Sequence, residues 1–233
     1  MRLAGFALLC CATACAGCGD DNPATPDAMA DAATDAPGDA GPCGADRFVT
    51  GELVDFDSST TQFMGVFNAR FTVEGMPART ATTAPNGRFQ ICAPATSAMT
   101  FDVDAPADYL DGKAYIEAEA LGGRPPSFRA YTALRGSMLY AFDANRGHVL
   151  VFLAGDRSGL TLDRAHGAPL SGNDDDNDGA FTWTAGNAGR YVLFPNVDVS
   201  SPTITLGGDL SGPHTIPVAA GKLTLVSIFF VFL

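Results

Sequence analysis

From Arg47 onward the chain is broken every few residues by Gly, Pro, Asn or Asp, and the runs between the breaks are short and rich in Val, Ile, Thr, Phe and Tyr. Runs of this length and composition make strands: branched and aromatic side chains suit a pleated, half-buried surface, and a helix needs a longer uninterrupted stretch. FVTGELVDF (48–56), NARFTVEG (68–75), RTATTA (79–84), RFQIC (88–92), MTFDVDA (99–105) and AYIEAEAL (114–121) are each read as a strand. Alternation supports this, with Phe71 and Val73 on one side of their strand and Arg70, Thr72 and Glu74 on the other. Asn86-Gly87, between two such runs, is a hairpin signal, since a type I′ turn needs positive φ at both residues. Short strands at this spacing predict a β-sandwich over 43–122.

Gly122-Gly123-Arg124-Pro125-Pro126 ends the series. In SFRAYTALRGSMLYAF (127–142), Phe128, Tyr131, Leu134 or Arg135, Met138 and Phe142 recur at helical spacing, which predicts a short amphipathic helix within a linker over 123–146. Strand-like runs then resume: HVLVFLA (148–154), GLTLDRA (159–165), GAFTWTA (179–185), GRYVLFPN (189–196), PTITLGG (202–208) and GKLTLVSIFFVFL (221–233). They predict a second β-sandwich over 147–233, in tandem with the first. The halves look like divergent copies, since Asn86-Gly87 with Phe89 is matched by Asp178-Gly179 with Phe181. The last run is apolar on both faces, with Leu223, Leu225, Phe229 and Val231 on one and Val226, Ile228, Phe230 and Phe232 on the other. Eleven residues beyond Lys222 are too few for a membrane helix. Two apolar faces call for burial on both sides: one face should fill the second sandwich, the other pack on the 127–142 segment or the first half.

Fourteen Lys and Arg against 26 Asp and Glu give a formal net charge of −12. That is the wrong sign for a nucleic-acid surface, which replaces phosphate counterions with bases. The acid is concentrated, with seven Asp from Asp20 to Asp46 and four from Asp174 to Asp178, so the rest of the chain is close to neutral.

Met1-Arg2 followed by the uncharged LAGFALLCCATACAGC (3–18) has the form of an export signal. Ala16-Gly17-Cys18 resembles the lipobox of bacterial lipoproteins, in which the Cys after Ala-Gly is lipidated and becomes the mature N-terminus. Cys15 stands where that motif prefers Leu, and Ala12-Thr13-Ala14-Cys15 is a second candidate. A secretory cut nearby without lipidation is the alternative. The resemblance implies a signal peptide over 1–17, lipidation of Cys18, and an address in the bacterial cell envelope, at the outer membrane on its periplasmic or surface face. Multiple acyl chains on one Cys anchor stably where a single chain does not. Residues 18–42 read as a disordered tether: beyond Cys18 they contain only Gly, Asp, Asn, Pro, Ala, Thr and Met, and nothing there offsets the entropy of ordering. Repeated Asp extends the tether by self-repulsion and Pro stiffens it.

Cleavage before Cys18 removes Cys10, Cys11 and Cys15. With Cys18 lipidated, Cys43 and Cys92 remain, and a pair of thiols in an oxidising envelope reads as a disulfide. The bond would pin the point where tether meets fold.

Gly51 and Asp55, then Gly65, Ala69 and Val73, then Thr83, Gly87 and Phe89, then Pro94 and Tyr109, occur in the order of a known pattern. Over 48–121 the chain resembles the carboxypeptidase regulatory-like domain, which implies a transthyretin-type Greek-key sandwich. It departs from that pattern in three extra residues between Gly65 and Ala69 and in lacking a Gly after Pro94. The resemblance bears on fold far more than on function. The whole layout is also similar to exported lipoproteins of GC-rich bacteria that carry Asp/Ala/Pro tethers, and twelve Arg to two Lys agrees with such a genome.

No nucleophile elbow, zinc-protease helix, phosphate-binding loop or dinucleotide fingerprint occurs. His148, His166 and His214 show no metal-ligand spacing. His166 is read as an exposed turn residue and His148 as a satisfied edge residue rather than a ligand. Trp183 is read as core, with a sugar-stacking platform as the functional alternative. Asp174, Asp176 and Asp178, followed by Gly179, match the opening of a calcium loop, in which alternating carboxylates converge on a hard cation. The Glu expected at the twelfth position is Ala185, so binding would be weak and millimolar, and the competing reading is a solvated hairpin tip. No other cofactor is expected. These features describe a non-catalytic envelope lipoprotein that binds or displays, touching the membrane through its lipid and no nucleic acid, with its ligand open. The alternatives are an enzyme of unfamiliar type, or an accessory subunit docking on a partner protein or glycan.

Overall fold

Burial alternates along the first strands as the sequence requires: Phe71 and Val73 are buried on one face of their strand, while Arg70 is exposed on the other. The computed structural model describes residues 43–56, 64–94, 98–117, 126–173 and 182–228, without the side chains of residues 154, 156 and 173. The segments read as signal peptide and tether (residues 1–42, with Cys15 and Cys18), Asp174, Asp176, Asp178, Phe181 and residues 229–233 lie outside the described residues.

The fold is mainly β. Its elements are β1 (Arg47–Asp55), β2 (Arg70–Val73), β3 (Thr80–Thr82), β4 (Arg88–Ala93), β5 (Ala98–Asp104), β6 (Gly112–Glu117), β7 (Ser127–Ala130), α1 (Ala133–Leu139), β8 (Gly147–Arg157), β9 (Thr161–Leu162), β10 (Leu170–Asn173), β11 (Thr182–Ala185), β12 (Gly189–Val197), β13 (Thr203–Gly207), β14 (His214–Pro217) and β15 (Leu223–Ile228). They form three sheets among the described residues: a nine-stranded one in the order β11-β10-β12-β8-β15-β6-β5-β2-β3, and three-stranded ones in the orders β4-β1-β7 and β14-β13-β9.

Two apolar cores lie on opposite faces of the large sheet. The first joins Leu53, Phe89 and Phe128 of the β4-β1-β7 sheet to Phe71, Phe101, Ile116, Leu150, Leu193, Leu223 and Leu225 of the large one. The second joins Ile204, Leu206 and Ile216 of the β14-β13-β9 sheet to Tyr115, Val149, Val151, Val192, Phe194, Val226 and Ile228. The two halves of the chain therefore share the large sheet. The large sheet takes strands from both sides of the linker expected over 123–146, and β15 joins them, running parallel to β6 on one side and to β8 on the other. All six residues of β15 are buried, with Leu223 and Leu225 in one core and Val226 and Ile228 in the other. Both apolar faces of the described part of the final run, Leu223–Ile228, are thus used.

The 127–142 segment differs from its expected single helix. Ser127–Ala130 is a strand paired in parallel with β1, from Glu52↔Ser127 to Asp55↔Ala130, and only Ala133–Leu139 is helical. Phe128 and Ala130 point into the first core with strand periodicity, and Thr132 caps the helix by accepting the Arg135 N–H at 3.0 Å. The turn at Asn86-Gly87 also differs. Pro85 holds its own φ negative, Gly87 alone takes a positive φ (76°), and its N–H donates to the Ala84 carbonyl at 2.8 Å. The strands on either side belong to different sheets, so this turn carries the chain across the first core instead of closing a hairpin ladder.

Candidate binding site

Gly65, Ala69, Thr83 and Gly87 meet around that corner, with Gly51 and Phe89 packed together beside it. Thr83, buried, accepts the Ala69 N–H through Oγ1 at 2.8 Å and donates to the Val66 carbonyl at 2.6 Å. A Cβ on Gly65 would lie 2.0 Å from the Asn86 carbonyl carbon, and one on Gly51 would lie 2.5 Å from the Phe89 ring. The two glycines therefore admit the turn and the ring, and Phe89 stacks on Phe71 at 4.0 Å. Tyr109 donates to the Asp55 carboxylate. This constellation is internal and serves the first core.

Cys43, in the turn before β1, is bonded to Cys92 of β4, with the Cα atoms 5.3 Å apart. That separation lies within the range a disulfide spans. Cys92 stands opposite Phe48 in the β1–β4 ladder, so the bond ties the entry of the chain onto the second strand of that ladder. The expected calcium loop falls in the connection from β10 to β11, whose last described pair is Asn173↔Thr182, and its three Asp lie beyond the described residues. Among the described residues no three His, Cys, Asp or Glu side chains are grouped to hold a metal ion.

The histidines are placed unlike their sequence reading. His148 is not on an edge, because β8 lies between β12 and β15. It is fully buried, stacked on Phe142 at 4.4 Å, and its Nδ1 accepts the Tyr140 hydroxyl at 2.9 Å, which meets the Tyr131 hydroxyl at 2.8 Å. The Asn196 N–H also points at Nδ1, at 3.4 Å, which makes that nitrogen the acceptor. Burial pushes the imidazole down to about 4 against a smaller opposing pull from Asp143. Burial likewise raises both phenols, Tyr131 the more deeply sunk. The chain of three polar groups is neutral at pH 7 and ties the end of α1 to the large sheet. His214 of β14 is buried and pairs with Glu117 at the end of β6. His166 is half-buried, donating through Nδ1 to the Gly167 carbonyl at 2.6 Å and meeting the Phe194 ring edge-on. Trp183 packs half-buried against the first core, 5.0 Å from Phe56, in keeping with the core reading.

A cleft of about 300 Å³ opens on the second-core face of the large sheet, lined among others by Thr72, Asp102, Asp104, Gly112, Lys113 and Lys222. Strand periodicity puts it there. On β2 and β5 the even-numbered residues Thr72, Asp102 and Asp104 share the face opposite the buried Phe71, Phe101 and Val103. Lys113 Nζ pairs with Glu74 Oε1 at 2.6 Å and Asp102 Oδ1 at 2.9 Å, Lys222 Nζ pairs with Asp111 Oδ2 at 3.0 Å, and Arg70 pairs with Asp104. Burial opposes the charge on Lys113, but the hydrogen bonds to Glu74 and Asp102 outweigh it and hold the pKa above its ordinary value. The lysines are the better covered partners of their pairs: the side chain of Lys113 is 21% exposed against 48% for Glu74 and 50% for Asp102, and that of Lys222 39% against 45% for Asp111. No sequence motif announces this cleft; the signal available was that the chain has two lysines and that both close on it. Compared with protein-family models, with curated proteins and with solved structures, the chain matches none.

Proposed function

We propose that the protein is an exported lipoprotein, anchored in the bacterial cell envelope through an acylated Cys18 and acting as a non-catalytic binding or display module at the end of an acidic tether. The observation that carries this reading is the Cys43–Cys92 bond, one residue beyond the tether. Disulfides persist in oxidising compartments, and this one fastens the β body at the point where a pull along the tether would reach it. The Arg2-led apolar run and Ala16-Gly17-Cys18 supply the route to that compartment. The convergence of Gly51, Gly65, Thr83, Gly87 and Phe89 supports the likeness of the first half to the carboxypeptidase regulatory-like domain.

Expression with the native leader in a bacterial host fed labelled palmitate tests the reading. The wild type and Cys15→Ser should take up label and fractionate with membrane, and Cys18→Ser should do neither. Label that follows Cys15, or an unlabelled secreted product from the wild type, would overturn it.

A further inference from the structure

We propose that the cleft between Lys113 and Lys222 binds a neutral polyhydroxylated ligand, a saccharide of one or two rings. The proposal rests on the binding-module reading and names the ligand class of that module.

Twelve of the fourteen basic residues are Arg, and the two Lys are brought to one opening by strand register. In the parallel pairing of β6 with β15, Lys113 stands opposite Thr224, and Lys222 immediately precedes Leu223, which stands opposite Gly112. The backbones approach closely at this point: a Cβ on Gly112 would lie 2.1 Å from the Leu223 carbonyl oxygen.

The chemistry of the walls selects the ligand. An ammonium has three N–H donors. The pairs with Glu74 and Asp102 engage two at Lys113, and the pair with Asp111 engages one at Lys222, so both walls keep donors to offer. Each carboxylate has two oxygens. Lys113 takes Oδ1 of Asp102, and Arg70 takes Oδ2 of Asp104 through both of its bonds, which leaves a second oxygen on each of these cleft-lining Asp residues. A hydroxyl donates and accepts at once, so neighbouring hydroxyls on a sugar ring can bridge from ammonium to carboxylate without breaking an existing pair. A phosphate or carboxylate ligand would gain two ammonium groups but meet Asp102 and Asp104 in the lining; a cation would meet both Lys. A neutral polar ligand meets no uncompensated charge. The volume, about 300 Å³, sits at the small end of ligand pockets and suits one or two sugar rings.

Lysine labelled with ¹³C at Cε gives the mature protein two ε-methylene resonances, one for each wall of the cleft. Methyl glucoside, N-acetylglucosamine and maltose are the probes, with inorganic phosphate as the charged comparator. At least one saccharide should shift both resonances and saturate by about 20 mM, the millimolar affinity of a small open site. Lys222→Met should weaken that saccharide about fivefold, since it removes donors from one wall, and Asp102→Asn should weaken it while the melting temperature of both variants is recorded. Silence with every saccharide, or shifts with phosphate alone, would overturn the ligand class. Because acylation of Cys18 is read separately by mass, a silent cleft on a lipidated protein sinks this inference and leaves the anchored module standing.

Discussion

Replacing His148 with Asn should flatten the acid limb of the protein's stability curve. The imidazole takes its proton near 6.5 in an unfolded chain and at about 4 in the fold, because burial penalises the charged ring more than Asp143 favours it. Between those values the unfolded state binds more protons than the folded one, so stability rises with pH. It is fully present above about 6.5 and is lost as the pH falls toward about 4. At about 1.4 kcal/mol per unit, the interval is worth about 3 kcal/mol. The geometry supplies the reason: Nδ1 already accepts from the Tyr140 hydroxyl and faces the Asn196 N–H, so a proton placed there meets two donors. An Asn oxygen can take the Nδ1 position and keep the Tyr140 bond, while the stack on Phe142 is lost, at a cost of about 1–3 kcal/mol at neutral pH. Urea midpoints of wild type and variant, measured at steps from about pH 7.5 to 4.5 with the disulfide intact, give the two slopes. Asp163 and Asp198 are held low by hydrogen bonds from Thr205 and Ser200 and titrate below this window, in both proteins alike. The two curves should converge on acidification. Parallel curves would refute the claim that His148 is buried neutral.

Replacing Cys43 and Cys92 with Ser should destabilise the fold by about 4 kcal/mol on the chain-entropy model for the 49-residue separation, read as a drop in denaturant midpoint; an unchanged midpoint would show the closure to be inconsequential. Gly65→Ala should cost several kcal/mol, about the scale of other overpacked sites, because its Cβ would land 2.0 Å from backbone at Asn86, whereas Gly155→Ala, with nothing within 4 Å, should leave the melting temperature unmoved. Calcium at several millimolar should raise the melting temperature slightly through Asp174, Asp176 and Asp178, and Asp176→Asn should abolish the rise; no rise in the wild type would leave the three Asp as a solvated turn.

Strand existence was written locally. Phe71 and Phe101 alternate with polar neighbours, and the strands that carry them stand within a few residues of where the pattern put them. Pairing was not local. Ser127–Ala130 mimics a helix start because Phe128 and Tyr131 are three apart, yet its partner is β1, more than seventy positions upstream, and only that parallel ladder decides its state. His214–Pro217 ends in Pro and was not read as a strand, and its pairing with β13 settles it. The doubly apolar β15 did reveal that two cores must meet on it, but not that its neighbours would be β6 and β8, which turned two expected sandwiches into layers sharing one sheet. The disulfide was legible because the cleavage expected before Cys18 would leave so few thiols. The cleft was not, since Lys113, Lys222, Asp102 and Asp104 come from strands whose adjacency no spacing encodes.

The account turns on where the mature chain begins. Mass spectrometry of the N-terminal peptide from membrane-extracted protein measures this directly. The account predicts a chain starting at Cys18 with a diacylglycerol thioether and an amide-linked acyl group. An unmodified terminus beyond residue 18, or a chain that still carries residues 1–17, would contradict it.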